Sequence, residues 1–181
     1  FARDLTGEIK LIRTPNKSRR SLLARIKGWE ECVEAMVFRP DGVGDIALAN
    51  IHTTCAASPK TRYMEIARAA LSMRKDDAAF IAGDMNNFCH FPINALINPL
   101  FSDRPWRLFD SDKYCLKRFR TRHGFEAAKT ARHTHVPSFL KLDYGWHRGE
   151  MDVTATRHDD RLGSDHYPIA YSLAPRTGGG S

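Results

Sequence analysis

DIALANIHT at residues 45–53 and AAFIAGDMN at residues 78–86 enclose SPKTRYMEIARAALSMRK at residues 58–75, and this stretch decides the fold. Both flanks are short apolar runs ended by polar or turn-forming residues, as buried strands are. Between them Ser58 can cap a helix, Pro59 suits its first turn, and Tyr63, Ala67, Ala70 and Leu71 recur at helical spacing. A helix is therefore expected to run to about Lys75. Strand, helix, strand implies a parallel crossover, whose functional loops lie beyond the carboxyl ends of the strands. Those ends are Ile51-His52-Thr53 and Gly83-Asp84-Met85-Asn86, so both polar groups are expected on one rim.

Upstream, strand-forming runs at residues 8–13, 22–26 and 32–38 precede the 45–51 run, separated by Pro15-Asn16-Lys17, Gly28 and Pro40-Asp41-Gly42. Consecutive antiparallel strands are expected there. Downstream, residues 91–138 read mostly as long loops, with a short helix at 93–97 and a basic stretch at 113–122. Strands return at 140–146, 151–156 and 167–173, completing an α/β pattern heavy in strands. Residues 1–174 read as one domain and 175–181, ending Gly-Gly-Gly-Ser, as a flexible tail.

The 181 residues are 42% hydrophobic and 27% charged, with mean hydropathy −0.45, a globular composition. The formal charge is +7 and the pI about 9.4, so anionic partners are favoured, nucleic acid first among them. Charge alone fits a merely basic protein equally well, because the cations are spread along the chain. Cys32, Cys55, Cys89 and Cys115 form no CxxC pair, which argues against a stapled mini-protein or a standard zinc knuckle. No stretch approaches the roughly 18 apolar residues of a membrane span, so a soluble chain is expected, and no cellular address is readable.

Four segments stand out in order: Ala49-Asn50-Ile51-His52-Thr53, Gly83-Asp84-Met85-Asn86, Lys141-Leu142-Asp143-Tyr144 and Ser164-Asp165-His166-Tyr167-Pro168. Their residue types suit phosphodiester hydrolysis, which needs an activated water, neutralised phosphoryl oxygens and help for the leaving oxygen. Asp84, Asn86 and Asp165 offer oxygen ligands to a hard cation. His52 and His166 can move protons or donate to phosphate, and Asp143 can fix a ring's tautomer.

Together the segments resemble the motifs of the endonuclease/exonuclease/phosphatase, or DNase I-like, family over residues 8–173. The resemblance implies a four-layer α/β sandwich, two packed sheets flanked by helices, lacking its first strands here. It pairs His166 with Asp143, puts a divalent metal (Mg²⁺, or Mn²⁺ or Ca²⁺) on Asp165, and gives Asp84 the attacking water. Asn86 contacts the scissile phosphate and His52 closes on it from the opposite side; Asp84 and Asn86 also stand as metal ligands. Met85 occupies a position where the family usually has Phe. The family's upstream metal-binding glutamate, typically in a Gln-Glu pair, has no counterpart: Glu8, Glu30 and Glu31 do not sit in that context. A chain that begins downstream of that segment is the expectation.

Taken singly, Asp84 with Asn86 reads as loop capping, Asp165-His166 reads equally as turn chemistry or as part of a site, and His52 equally as a structural or a functional histidine. Asp143 within an apolar strand needs a partner, for which His166 is the natural candidate. Lys117-Arg118-Phe119-Arg120-Thr121-Arg122-His123 reads either as a solvated basic loop or as a nucleic-acid groove in which Arg118, Arg120 and Arg122 bind substrate. His123, His133, His135 and His147, like Cys89-His90, lack zinc-finger spacing and read as exposed loop residues. Trp106, Phe109 and Trp146 read as packing residues. The expected function is metal-dependent hydrolysis of nucleic acid. The alternatives are a phosphatase or phosphodiesterase acting on inositol phosphate, phospholipid or protein-linked phosphate, and a non-catalytic nucleic-acid-binding or regulatory module.

Overall fold

The computed structural model describes residues 6–15, 32–42, 45–54, 57–86, 111–129, 133–136 and 141–176. In chain order the elements are β1 (Gly7–Pro15), β2 (Cys32–Pro40), β3 (Ile46–His52), α1 (Pro59–Ser72), β4 (Ala78–Asp84), α2 (Asp112–His123), β5 (Glu126–Ala127), β6 (Asp143–Arg148), β7 (Met151–Arg157) and β8 (Ile169–Pro175). Among the described residues six strands form a mixed sheet ordered β1-β2-β3-β4-β6-β5, while β7 and β8 make an antiparallel ribbon. Within the sheet only β3 and β4 run parallel, as the α1 crossover between them requires.

Alternation along the strands sends residues to two different layers. Ala47, Ala49, Ile51, Ala79, Ile81 and Trp146 face the helices, where they meet Ile66, Ala69, Ala70, Met73 and Phe119 in one buried cluster. The small alanines let α1 approach the sheet closely. The helices are joined by a buried ion pair, Arg62 Nη2 to Asp112 Oδ1 at 2.8 Å, with side-chain exposures of 3% and 1%. On the other sheet face Tyr171 of the ribbon makes an edge contact with Phe80, ring centroids 4.9 Å apart. A Cβ at Gly145 would sit 2.5 Å from the Tyr171 ring, so only glycine lets the ribbon settle there.

The α/β architecture with two sheets is borne out, and the layers among the described residues are helices, six-stranded sheet and ribbon. Residues 112–123 correct the loop expected there: they form α2, capped by Gly124 in the left-handed conformation. Only Asp112 and Phe119 of α2 are buried, so the apolar stripe is too narrow to show through seven charged or imidazole side chains. Helix α1 ends at Ser72, not Lys75, and β6 and β8 begin at Asp143 and Ile169, later than expected. The expected strand at 22–26, the short helix at 93–97 and Cys89-His90, Trp106 and Phe109 lie outside the described residues. No helix among the described residues is long and apolar enough to cross a membrane.

Candidate active site

Strand register assembles the first half of the site. His52 pairs with Asp84 across β3 and β4, and Asp84 pairs with Asp143 across β4 and β6. Three side chains from distant parts of the sequence thus stand in one row on the ribbon face, about 4.8 Å apart from strand to strand. The loop ends are tied down behind them. The Thr53 backbone N–H donates to the Asp84 carbonyl and that of Met85 to the Leu142 carbonyl, each at 2.9 Å. Thr54 donates through its backbone N–H and its hydroxyl to the buried Glu65 carboxylate of α1.

Asn86 holds the turn after β4. Its φ of 47° is left-handed, a conformation asparagine tolerates better than most residues. The Asn86 backbone N–H donates to Asp84 Oδ1 at 2.8 Å, and its side-chain Nδ2 donates to the Thr53 carbonyl at 2.7 Å. Asp84 Oδ1 is thereby occupied, and Oδ2 is the oxygen that faces His52 Nε2 at 3.7 Å and His166 Nε2 at 3.8 Å.

Two paired loops assemble the second half. The Val136 N–H donates to the Asp165 carbonyl at 2.9 Å and the Tyr167 N–H to the Thr134 carbonyl at 2.8 Å. Those bonds flank the isolated bridge between His135 and His166, making them a non-hydrogen-bonded antiparallel pair whose side chains stand close on one face. The loop pair is fastened to β6 by the fully buried Thr134, whose hydroxyl oxygen accepts from the Leu142 and Asp143 N–H groups at 3.0 and 3.1 Å.

The halves meet at His166, whose Nδ1 lies 2.8 Å from Asp143 Oδ2. Burial opposes a charge on this ring, but the hydrogen bond to Asp143 and the fields of Asp143, Asp84 and Asp165 outweigh it and raise the imidazole above its usual value. Burial, with the charge of Asp143, raises the Asp84 carboxyl, partly offset by the Asn86 N–H and the two histidines. Tyr171 is also raised, by burial and then by Asp143, so it stays a neutral hydroxyl. A cleft of about 320 Å³ opens here between Asn50, Gly83, Asp143, His166 and Tyr171.

A scan against protein-family models found no match, and no curated protein matches the sequence. Solved structures do. An endonuclease/exonuclease/phosphatase from Beutenbergia cavernae superposes with TM-score 0.54 at 14% identity, over 94% of this chain and 45% of its own. The endonuclease domain of TRAS1, a telomere-specific non-LTR retrotransposon, gives TM-score 0.55 at 12% identity over 93% and 69%. An endonuclease/exonuclease/phosphatase from Bacteroides vulgatus gives 0.55 at 13% over 93% and 65%. The chain has the endonuclease/exonuclease/phosphatase fold. It spans between 45% and 69% of the lengths of these three neighbours.

Of the residues the resemblance singles out, Asp143 and His166 line the cleft; Asp84 Oδ2 lies 3.8 Å from His166 and 3.7 Å from His52, and Asn86 is buried behind Asp84. Met85 is fully buried, so it serves packing alone. The basic residues divide. Lys113, Lys117 and Arg120 share one face of α2 and line a separate cleft of about 910 Å³ with Lys141 and Tyr144. Arg118 and Arg122 are not in that lining.

Among the described residues Asp84 and Asp165, the carboxylates that the resemblance puts on a Mg²⁺ or Ca²⁺ ion, do not fall in one cluster of potential ligands. Asn86 donates through its amide nitrogen to Thr53, a bond that leaves its oxygen out, and Asp84 lies outside the group of potential ligands around Asp165. That group consists of His135, Asp165 and His166, one ligand atom from each lying within 4.8 Å of the others. His135 is therefore not the exposed loop residue its sequence context suggests: its side chain is 19% exposed and faces Asp165. His147 is buried as well, in β6. Nothing local marks His135, because its partners lie 30 residues further along and meet it only through backbone pairing.

Proposed function

We propose that the chain hydrolyses phosphodiesters and that its substrate is nucleic acid. One observation carries the reading. His166 is held through Nδ1 by Asp143 at 2.8 Å and presents Nε2 to the Oδ2 face of Asp84 at 3.8 Å, so that a proton donor and a base stand side by side.

Asn86 holds Asp84 Oδ1, which leaves Oδ2 to take a proton from the attacking water. The raised Asp84 carboxyl makes it a stronger base than a solvated one. As the water oxygen bonds to phosphorus, negative charge grows on the phosphoryl oxygens, and a protonated His166 donates to one of them through Nε2. Asp143 keeps that ring oriented and charged. His52, across Asp84 Oδ2 at 3.7 Å, donates to the phosphate from the other side. The leaving P–O bond breaks and its oxygen takes a proton from solvent. Nucleic acid is favoured as substrate by the formal charge of +7 and by the cationic cleft of Lys113, Lys117, Arg120 and Lys141.

Nicking of supercoiled plasmid and of single-stranded RNA, assayed with Mg²⁺, with Mn²⁺ and with EDTA, tests the reading. Cleavage by the chain that is lost in His166→Ala and Asp84→Ala is expected. Inositol phosphate hydrolysed in place of nucleic acid moves the substrate class, and binding without cleavage of either sinks the catalytic reading.

A further inference from the structure

We infer that His135, Asp165 and His166 form a three-ligand site for a borderline divalent transition ion of the Zn²⁺ class. The donor set is two imidazole nitrogens and one carboxylate oxygen, which suits zinc and its neighbours and not an oxygen-seeking ion such as Mg²⁺. Three protein ligands leave a fourth position for water, and because the ion takes the His166 Nε2 that the proposed hydrolysis uses as a donor, the metal-bound form does not run that step.

The geometry is close to what such an ion needs. Zinc bonds of about 2.0–2.1 Å place tetrahedral ligands roughly 3.4 Å from one another. His135 Nε2 and Asp165 Oδ2 already stand 3.5 Å apart, and all three ligand atoms fall within 4.8 Å. Closing the remaining distance needs small side-chain rotations, for which Asp165, 66% exposed, has room. The backbone is set in advance. The pairing of His135 with His166 brings their rings to 4.9 Å at 69°, and Ser164 Oγ accepts the His166 N–H at 3.0 Å. Asp143 takes Nδ1 of His166, which fixes the tautomer and leaves Nε2 to a ligand, the carboxylate–histidine–metal relay of zinc centres.

The binding does not rest on the proposed hydrolysis, and nicking is measured on the zinc-free chain. Calorimetric titration of the full chain with Zn²⁺, Co²⁺ and Mg²⁺, with visible absorption of the Co²⁺ form, tests it. One equivalent of Zn²⁺ is expected, weakened at least tenfold in His135→Ala and Asp165→Asn and unchanged in His158→Ala, whose imidazole is exposed. The same variants leave Mg²⁺ titrations unaltered, and Co²⁺ gives an absorption band that His135→Ala abolishes. His135→Cys, which keeps a donor, restores the band with added sulfur-to-metal intensity. Thermal melting confirms that each variant is folded. No Zn²⁺ binding by the chain, or binding that His135→Ala leaves intact, overturns the site. Zinc bound through His135 by a chain that cleaves no phosphodiester leaves the site standing and removes the hydrolase reading instead.

Discussion

The two halves of the site are built differently. His52, Asp84 and Asp143 stand on adjacent strands whose opposite faces pack against the helices, so their positions follow from sheet register. His135, Asp165 and His166 stand on loops joined by two backbone hydrogen bonds and anchored to β6 by one threonine hydroxyl. The sheet half can be disturbed only together with the core. The loop half can be loosened alone, which suits the part of a site that closes on substrate or cation.

His166→Ala breaks the link between the halves outright. Plasmid nicking is expected to fall about 10²–10⁴-fold, the usual weight of one proton-transfer group, with a lower melting temperature because Asp143 loses its partner. A loss below tenfold would falsify the assignment of His166.

Thr134→Val detaches the loop half while sparing the sheet. It leaves the Leu142 and Asp143 N–H groups without their acceptor, at about 1–3 kcal/mol for each buried donor. Denaturant titration should show that loss, and nicking should fall toward the level of His166→Ala. Full activity would mean that the pairing of residues 134–136 with 165–167 does not position the site.

Asp143→Asn keeps an acceptor beside His166 but removes the charge. The His166 imidazole is raised above 6.5, so folded chains hold its proton more tightly than unfolded ones. Stability from this group is full below that pH and is lost as pH rises through the raised value. Activity that needs the protonated ring falls over the same alkaline range. In Asp143→Asn both transitions move to lower pH; pH profiles of nicking and of melting that do not move would remove Asp143 from its positioning role.

Asp84→Asn gives the smallest effect on stability and reverses its sign. The Asp84 carboxyl is raised above 3.8, so its charge costs the folded state stability once the pH exceeds that value. Neutralising it should raise the melting temperature by roughly 2 °C at neutral pH while abolishing cleavage, as functional sites commonly trade stability for activity. A lower melting temperature would show that the Asp84 charge is satisfied in the fold.

The crossover from residue 45 to residue 86 was legible because its signals are local: apolar runs, a Ser-Pro helix start and polar strand ends. The same holds for the expectation that His52 and Asp84 share a rim, since a parallel crossover admits no other placement. Asp143 and His166 were paired by resemblance and by the cost of an unpartnered carboxylate in a strand. Helix α2 was not legible, because a helix that buries little beyond Phe119 has almost no apolar period to read. Among the basic residues, only the helical face separated Arg120 from Arg118 and Arg122.

The sequence by itself determined most of the strand segments and which chemistry-bearing residue types stand at their ends, because both follow from short-range pattern. Tertiary structure alone decided that His52, Asp84 and Asp143 form one row and that His135 faces Asp165 and His166. Register and loop pairing join residues far apart along the chain, and those contacts depend on how surfaces pack and not on any spacing within a segment.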